Sequence, residues 1–212
     1  MEGLTLSQML QVSAAMPLLL LLSVVVVGQA IERVYVYWFS MRLPTQLWDR
    51  VRDRLQKGDR EGAAGLCRLG SGTMEMALER LILLPDPTAE RLIEAFQLYR
   101  QRLALDLSRR VGLFGTCSFI CPLIGLMGTV MGIMRAFRDL SAAGAGGPSV
   151  VAAGISEALV TTAAGIGVAV LSALFYNYFT LTARHRLSTV DLWVFELAAL
   201  LEQPRIVSLE PK

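Results

Sequence analysis

Three long apolar runs lie along this chain, separated by polar segments in which hydrophobic residues recur at helical spacing. The apolar runs cover residues 12–31, 111–134 and 155–179, and Glu157 is the one charged residue within them. A transmembrane helix needs about 20 consecutive, mostly apolar residues. The pattern therefore predicts an all-α integral membrane protein with three transmembrane helices.

The polar segment between the first two runs, residues 32–110, is predicted to be a helical domain. Its breakers and periodicity indicate helices over 43–56, 59–68, 73–84 and 89–111. No Pro or Gly interrupts the last of these, so we expect one long helix that continues without a break into the second span. Its apolar stripe favours an intramolecular seam, with contact to a neighbouring subunit as the alternative.

The distribution of basic residues predicts the orientation in the membrane. Of the 20 Lys and Arg residues, 14 lie within residues 32–110, and none lies within 1–11. Basic residues are enriched on the cytoplasmic side. The segment 1–11 and the connection 135–154 are therefore expected outside, and residues 32–110 and the C-terminal helix and tail, 180–212, inside. The first span has no basic n-region and is longer than a signal-peptide core, so we expect a retained helix.

Composition narrows the class further. The chain is 54% hydrophobic and 18% charged, against roughly 25% charged in soluble domains. A net charge of +2 gives no electrostatic footprint for nucleic acid. Cys67 falls in the polar segment, whereas Cys117 and Cys121 share a face of the second span, and the one histidine, His185, is distant. We therefore expect no metal and no cofactor, with the cysteines acting as small packing residues.

Small residues distinguish the second and third spans from the bulky first span. They let helices approach closely inside a membrane, where the hydrophobic effect does not drive association. We therefore expect these two spans to form the packed interior and the first span to lie on the periphery. The glycines expected at the helix contacts are Gly125, Gly128, Gly132 and Gly165.

Glu157 is the strongest candidate for a functional residue. A carboxylate at membrane depth is costly and persists mainly where it lines a pore, forms a pair or carries protons. The alternative is that it lies just outside the hydrocarbon and caps the helix N-terminus. At about 100° per residue, Thr161 shares the face of Glu157, whereas Thr162 lies roughly 140° away.

Two motifs in the apolar runs resemble those of a known family. Residues 121–134 closely resemble the second transmembrane motif of the ExbB/TolQ/MotA family of proton-channel proteins, and residues 154–167 resemble its third-span motif. Residues 31–33 and 176–179 are similar to the ends of the family's first and third spans. Three spans and 212 residues favour the ExbB/TolQ branch, because the flagellar branch typically has four spans.

This resemblance implies a function that composition does not show. It implies a homopentamer in the bacterial inner membrane, with a central pore that holds a dimer of an ExbD-like or TolR-like single-span partner. That partner brings a protonatable aspartate, and proton flow drives rotation of one part against the other. The work passes to a TonB-like or TolA-like protein that spans the periplasm. The family's polar pore positions fall here on Thr129, Glu157 and Thr162, and Thr161 is kept as a second pore hydroxyl.

The resemblance is incomplete, and other functions remain open. Leu171 stands where the family often has proline, and Cys121 where it often has alanine. The resemblance implies a motor subunit and not an enzyme, and its systems include outer-membrane import, envelope maintenance and gliding. The alternatives are a small membrane transporter, which usually shows internal repeats, and a structural membrane scaffold without proton flux.

Overall fold

The computed structural model describes residues 15–40, 43–70, 73–85, 87–143 and 148–207. Within these residues every regular element is helical, as predicted. A π-helical turn, Val36–Ser40, follows the first helix. The α-helices are α1 Ala15–Tyr35, α2 Thr45–Gln56, α3 Arg60–Arg68, α4 Thr73–Ile82, α5 Ala89–Ser108, α6 Val111–Ala143 and α7 Pro148–Val207.

Three largely helical stretches of the described chain are long and apolar enough to cross a membrane. They are Ala15–Trp38, Ala89–Ser141 and Val151–Leu201. The prediction of three membrane-spanning helices agrees with this finding, although α6 and α7 extend beyond the predicted spans. Both helices extend into the connection expected at 135–154, of which residues 144–147 lie outside the described chain, as does the segment 1–11.

The predicted unbroken helix from residue 89 into the second span is wrong at one point. Helix α5 ends at Ser108 and α6 begins at Val111. Between them, Arg110 has a φ of 59°, in the left-handed region that a right-handed helix cannot include. The hydroxyl of Tyr37 donates to the carbonyl oxygen of Leu107 at 2.9 Å, so a distant side chain satisfies a carbonyl that a continuing helix would use.

The chain folds as two compact units. We call the first the membrane unit: it comprises the chain up to Arg33 together with Arg110–Phe179. We call the second the domain unit: it comprises Val34–Arg109 and the chain from Thr180 onward. In the membrane unit, Phe114 is completely buried and its ring centroid lies 5.7 Å from that of Phe175.

The domain unit has its own hydrophobic core, to which helices α2 to α5 and the C-terminal part of α7 contribute. The rings of Trp48 and Trp193 stack with their centroids 5.4 Å apart. Leu92 and Phe96 are buried in this core, which confirms that the apolar stripe of α5 forms an intramolecular seam. Arg100 and Asp191 form a bidentate ion pair, with N–O distances of 2.7 and 2.9 Å.

Local side-chain bonds explain where the domain helices begin. Asp59 accepts a hydrogen bond from the backbone N–H of Gly62 at 2.8 Å and so caps α3. The Arg54 guanidinium, hydrogen-bonded to this carboxylate, lowers the pKa of Asp59 below its usual value, and the Gly62 N–H adds to the effect. Thr88 caps α5 in the same way, because its hydroxyl accepts from the N–H of Arg91 at 3.5 Å.

Candidate functional site

Helices α6 and α7 pack closely where both have small residues. A Cβ atom added to Gly165 would lie 2.6 Å from the carbonyl oxygen of Cys121 and 3.1 Å from the Cα atom of Gly125. A Cβ atom added to Gly132 would lie 2.7 Å from the Cβ atom of Ala158. These contacts are shorter than a larger side chain allows, so the two backbones approach closely only because glycine stands there.

This close approach brings two threonine hydroxyls together. Thr162 Oγ1 on α7 donates to the carbonyl oxygen of Gly125 on α6 at 3.0 Å. It also lies 3.4 Å from Thr129 Oγ1, which donates to the carbonyl of Leu126 in its own helix at 2.7 Å. Each hydroxyl has one hydrogen. Both hydrogens are therefore directed to backbone carbonyls, and the Thr162–Thr129 contact is the weaker interaction.

Thr161 has different surroundings from its neighbour in the sequence. It is completely buried, and its Cγ2 methyl would lie 2.5 Å from a Cβ atom on Gly128. That same Cβ atom would lie 3.1 Å from the side chain of Ala15 in α1. The Thr161 methyl thus occupies the space left by Gly128, and its buried Oγ1 has no hydrogen-bond partner among the described residues.

Glu157 lies well inside α7, on the surface of the chain. The helix begins at Pro148, so Glu157 is more than two turns from its first residue. The alternative that Glu157 caps the helix is therefore wrong, because the dipole effect falls off within the first turn. The Glu157 side chain is exposed, and it forms no ion pair within the described part of the chain.

The four predicted polar residues therefore fall into three environments. Thr129 and Thr162 lie together at the α6–α7 contact, Thr161 packs against Gly128, and Glu157 is on the surface. The sequence pattern alone does not identify the Gly125 carbonyl as the acceptor for Thr162. The available signal was the glycine itself, because a residue without a side chain leaves its carbonyl accessible to a neighbouring helix.

No group of three or more histidine, cysteine or carboxylate side chains is arranged to hold a metal ion in the parts of the chain that the structure covers. Cys117 and Cys121 are buried in α6 as free thiols. The pair contributes apolar packing surface within the helix, as small residues do.

The fold and these contacts define a multi-pass membrane protein with hydroxyls at a close helix contact and a carboxylate within a candidate membrane span. A family model described as the MotA/TolQ/ExbB proton channel family matches residues 71–191, more than half of the chain. The chain belongs to this family, and its named relatives place it in the ExbB/TolQ branch.

Three relatives illustrate the similarity. The ExbB-like 1 biopolymer transport protein of Synechocystis is 34% identical over 75% of this chain and 64% of its own length. The ExbB-like 3 protein of the same organism is 33% identical over 74% of this chain and 76% of its own length. The Tol-Pal system protein TolQ of Haemophilus influenzae is 38% identical over 46% of this chain and 42% of its own length. The chain thus spans less than two thirds of ExbB-like 1 and of TolQ.

Proposed function

We propose that this chain is the proton-channel subunit of a motor that couples the proton-motive force across the bacterial inner membrane to mechanical work. The observation that carries the proposal is Glu157, an exposed carboxylate near the start of the apolar run 155–179 and more than two turns from the first residue of α7. A carboxylate facing lipid there costs several kcal/mol. Its position is therefore understandable if it lines a water-filled lumen in an assembly.

The threonine pair supports the same function. Thr129 and Thr162 place two hydroxyl oxygens 3.4 Å apart beside the Gly125 carbonyl. Hydroxyl oxygens also accept hydrogen bonds, so this pair can stabilise a protonated carboxyl group in a narrow polar path. Thr129 is nearly buried within the single chain, whereas Thr162 is half-buried, so Thr162 is the more accessible of the two.

The proposed assembly is a homopentamer with α6 and α7 around a central pore and α1 toward lipid. A single-span partner, similar to ExbD or TolR, occupies the pore and supplies the aspartate that carries the proton. A TonB-like or TolA-like protein receives the work. The N-terminus is periplasmic and the C-terminus cytoplasmic, as the basic residues predict. Two relatives carry the names biopolymer transport protein ExbB and Tol-Pal system protein TolQ, which is consistent with these partners.

Proton flux is the property that separates this function from a structural scaffold. We would reconstitute the chain with its co-expressed partner in liposomes and follow internal pH with a dye. Glu157→Gln should lower flux about tenfold or more, which corresponds to a barrier increase of about 1.4 kcal/mol. Asp139→Asn is the matched control, because it removes another exposed carboxylate, one near the end of α6.

The assembly of each variant must be measured beside its flux. Glu157 has no ion-pair partner in the described chain, so Glu157→Gln should assemble with the partner as the wild type does. If Glu157→Gln assembles and conducts at the wild-type rate, the proposed pathway is wrong. If the wild-type complex itself conducts no protons, the structural scaffold is the better interpretation.

A further inference from the structure

Arg135 lies at the same end of the α6–α7 pair as Glu157. Arg135 directly follows the apolar run 111–134 of α6, and Glu157 is near the start of the run 155–179 of α7. Both side chains are exposed. Because both belong to the membrane unit, the contacts between α6 and α7 determine how the two charges are placed.

Two glycine contacts set the register of α6 against α7 at this end. A Cβ atom added to Gly132 would lie 2.7 Å from the Cβ atom of Ala158. A Cβ atom added to Gly154 would lie 2.5 Å from the Cβ atom of Ala136. The contact positions rise along α6 as they fall along α7, so the two helices are antiparallel with a known register.

This register places Arg135 and Glu157 on one side of the helix contact. Arg135 directly precedes Ala136, Glu157 directly precedes Ala158, and both alanines are contact residues. Two antiparallel helices in contact are related by an approximate two-fold axis perpendicular to both. The residues that precede the contact residues, about 100° around each helix, therefore lie on the same side. Along the helix axes the two residues are about 3 Å apart.

The threonine pair supports this geometry on the other side of the contact. Thr161 packs against Gly128. The residues that follow these two, Thr162 and Thr129, have their hydroxyl oxygens 3.4 Å apart. Residues that follow the contact residues thus lie together, as the two-fold relation requires. Glu157 precedes its contact residue, so it lies on the side opposite the threonine pair.

The close helix contact brings the two charged side chains within reach of each other. Packed helices have axes about 8–10 Å apart, and the Cα atoms of Arg135 and Glu157 are separated by a similar distance. Their long, flexible side chains together span this gap. In the single chain the charged groups are not within ion-pair distance, and both are exposed to solvent. Exclusion of water in an assembly would strengthen their attraction.

We propose that Arg135 is the positioning residue for Glu157 and pairs with its carboxylate in the assembled complex. This inference rests on the proposed function, in which Glu157 belongs to the proton pathway. Ionisable side chains at membrane depth usually pair with one another. The other charged residues of this end, Arg138 and Asp139, lie about one turn further along α6. The guanidinium offsets the cost of the ionised carboxylate, and a proton that binds the carboxylate releases it from Arg135.

Cross-linking tests the placement without reference to proton flux. Arg135→Cys combined with Glu157→Cys should be joined within one chain of the assembled complex by a short bifunctional maleimide, as peptide mass spectrometry would show. Phe137→Cys combined with Glu157→Cys is the matched control. Phe137 is also exposed, but it follows Ala136 and therefore lies on the other side of the contact. Equal linking of the two pairs would overturn the proposal.

A double-mutant cycle in the liposome flux assay tests the pairing itself. Arg135→Gln should lower proton flux about fivefold, the upper end of what an exposed ion pair gives. Arg135→Lys should keep most of the flux, because it keeps the charge. In a Glu157→Gln background, Arg135→Gln should cause no further loss, since the pair is already broken. Arg138→Gln is the control and should conduct as the wild type does.

The outcomes separate this proposal from the proposed function. Wild-type flux in an assembled Arg135→Gln complex would overturn the pairing and leave the proposed function standing. Additive losses in the double variant would overturn the pairing as well, because residues that do not interact act independently. If Glu157→Gln conducts at the wild-type rate, the proposed function and the pairing both fail. If Arg135→Gln does not assemble, Arg135→Lys decides: loss of flux in this charge-conserving variant would contradict the pairing.

Discussion

Replacing Gly165 with alanine tests whether α6 and α7 approach as closely as the structure indicates. The added Cβ atom would lie 2.6 Å from the carbonyl oxygen of Cys121, and both positions belong to helix backbones that cannot rotate away. The helices must then separate by several tenths of an ångström. Overpacking of this kind typically costs about 1–3 kcal/mol.

Gly167→Ala is the matched control for this change. It lies two residues further along the same helix, and a Cβ atom there would have nothing within 4 Å. Alanine is a better helix former than glycine by up to about 1 kcal/mol, and this helix propensity raises the free energy of unfolding of both variants equally. The difference in unfolding free energy between the two variants therefore isolates the overpacking, and it should be about 1–3 kcal/mol.

Equilibrium unfolding of the purified chain in mixed micelles measures this difference. A second measurement is proton flux, because separating the helices lengthens the 3.0 Å bond from Thr162 to the Gly125 carbonyl. Under the proposed function, Gly165→Ala should lower flux as well as stability. If Gly165→Ala and Gly167→Ala have the same free energy of unfolding, helices α6 and α7 do not approach as closely as described, whatever the proton flux of the two variants.

Three further predictions concern neighbouring features. Thr162→Val should lower proton flux in the liposome assay, because it removes the hydroxyl that donates to the Gly125 carbonyl. Thr161→Val should leave flux unchanged and raise the free energy of unfolding, because the hydroxyl it removes is buried without a hydrogen-bond partner among the described residues. Burial raises the pKa of the Cys67 thiol from 9.0 to about 11. The thiol should therefore resist iodoacetamide in the folded protein, as peptide-resolved mass spectrometry would show. Its contribution to the free energy of unfolding should be lost as pH rises from about 9 to about 11, as unfolding curves at different pH would show. Native mass spectrometry should find five copies of the chain with the single-span partner, and a stable monomer in the presence of that partner would contradict the proposed assembly.

The sequence predicts the helices of this protein well because their signals are local. Pro44 precedes α2 and Gly58 follows it, and the structure gives this helix as Thr45–Gln56. The apolar runs predict the spans for the same reason, since about 20 apolar residues suffice. The α6 and α7 ends extend further than the hydrophobic runs because helix formation does not stop where the apolar sequence stops.

The sequence does not predict features that depend on distant partners. The break at Arg110 involves Glu32 and Tyr37, which lie more than 65 residues earlier in the chain and leave no trace in the periodicity of α5. Helical angles likewise give the directions of Thr161 and Thr162 relative to Glu157, but they do not say which neighbouring helix each side chain meets. That assignment requires the glycine contacts of α6.

The geometry of the threonine pair limits how a proton could pass through it. Both hydroxyls donate their hydrogen to a backbone carbonyl oxygen. The two hydroxyl oxygens are 3.4 Å apart, well beyond the usual distance of about 2.7–2.8 Å in a hydroxyl–hydroxyl hydrogen bond. Transfer between Thr162 and Thr129 would require Thr162 to release the Gly125 carbonyl and the helices to move closer. Gly125 and Gly165 already lie in tight contact, so little further approach is available. Under the proposed function, the pair is therefore better suited to hydrogen-bond a carboxylic acid from the partner than to relay the proton itself.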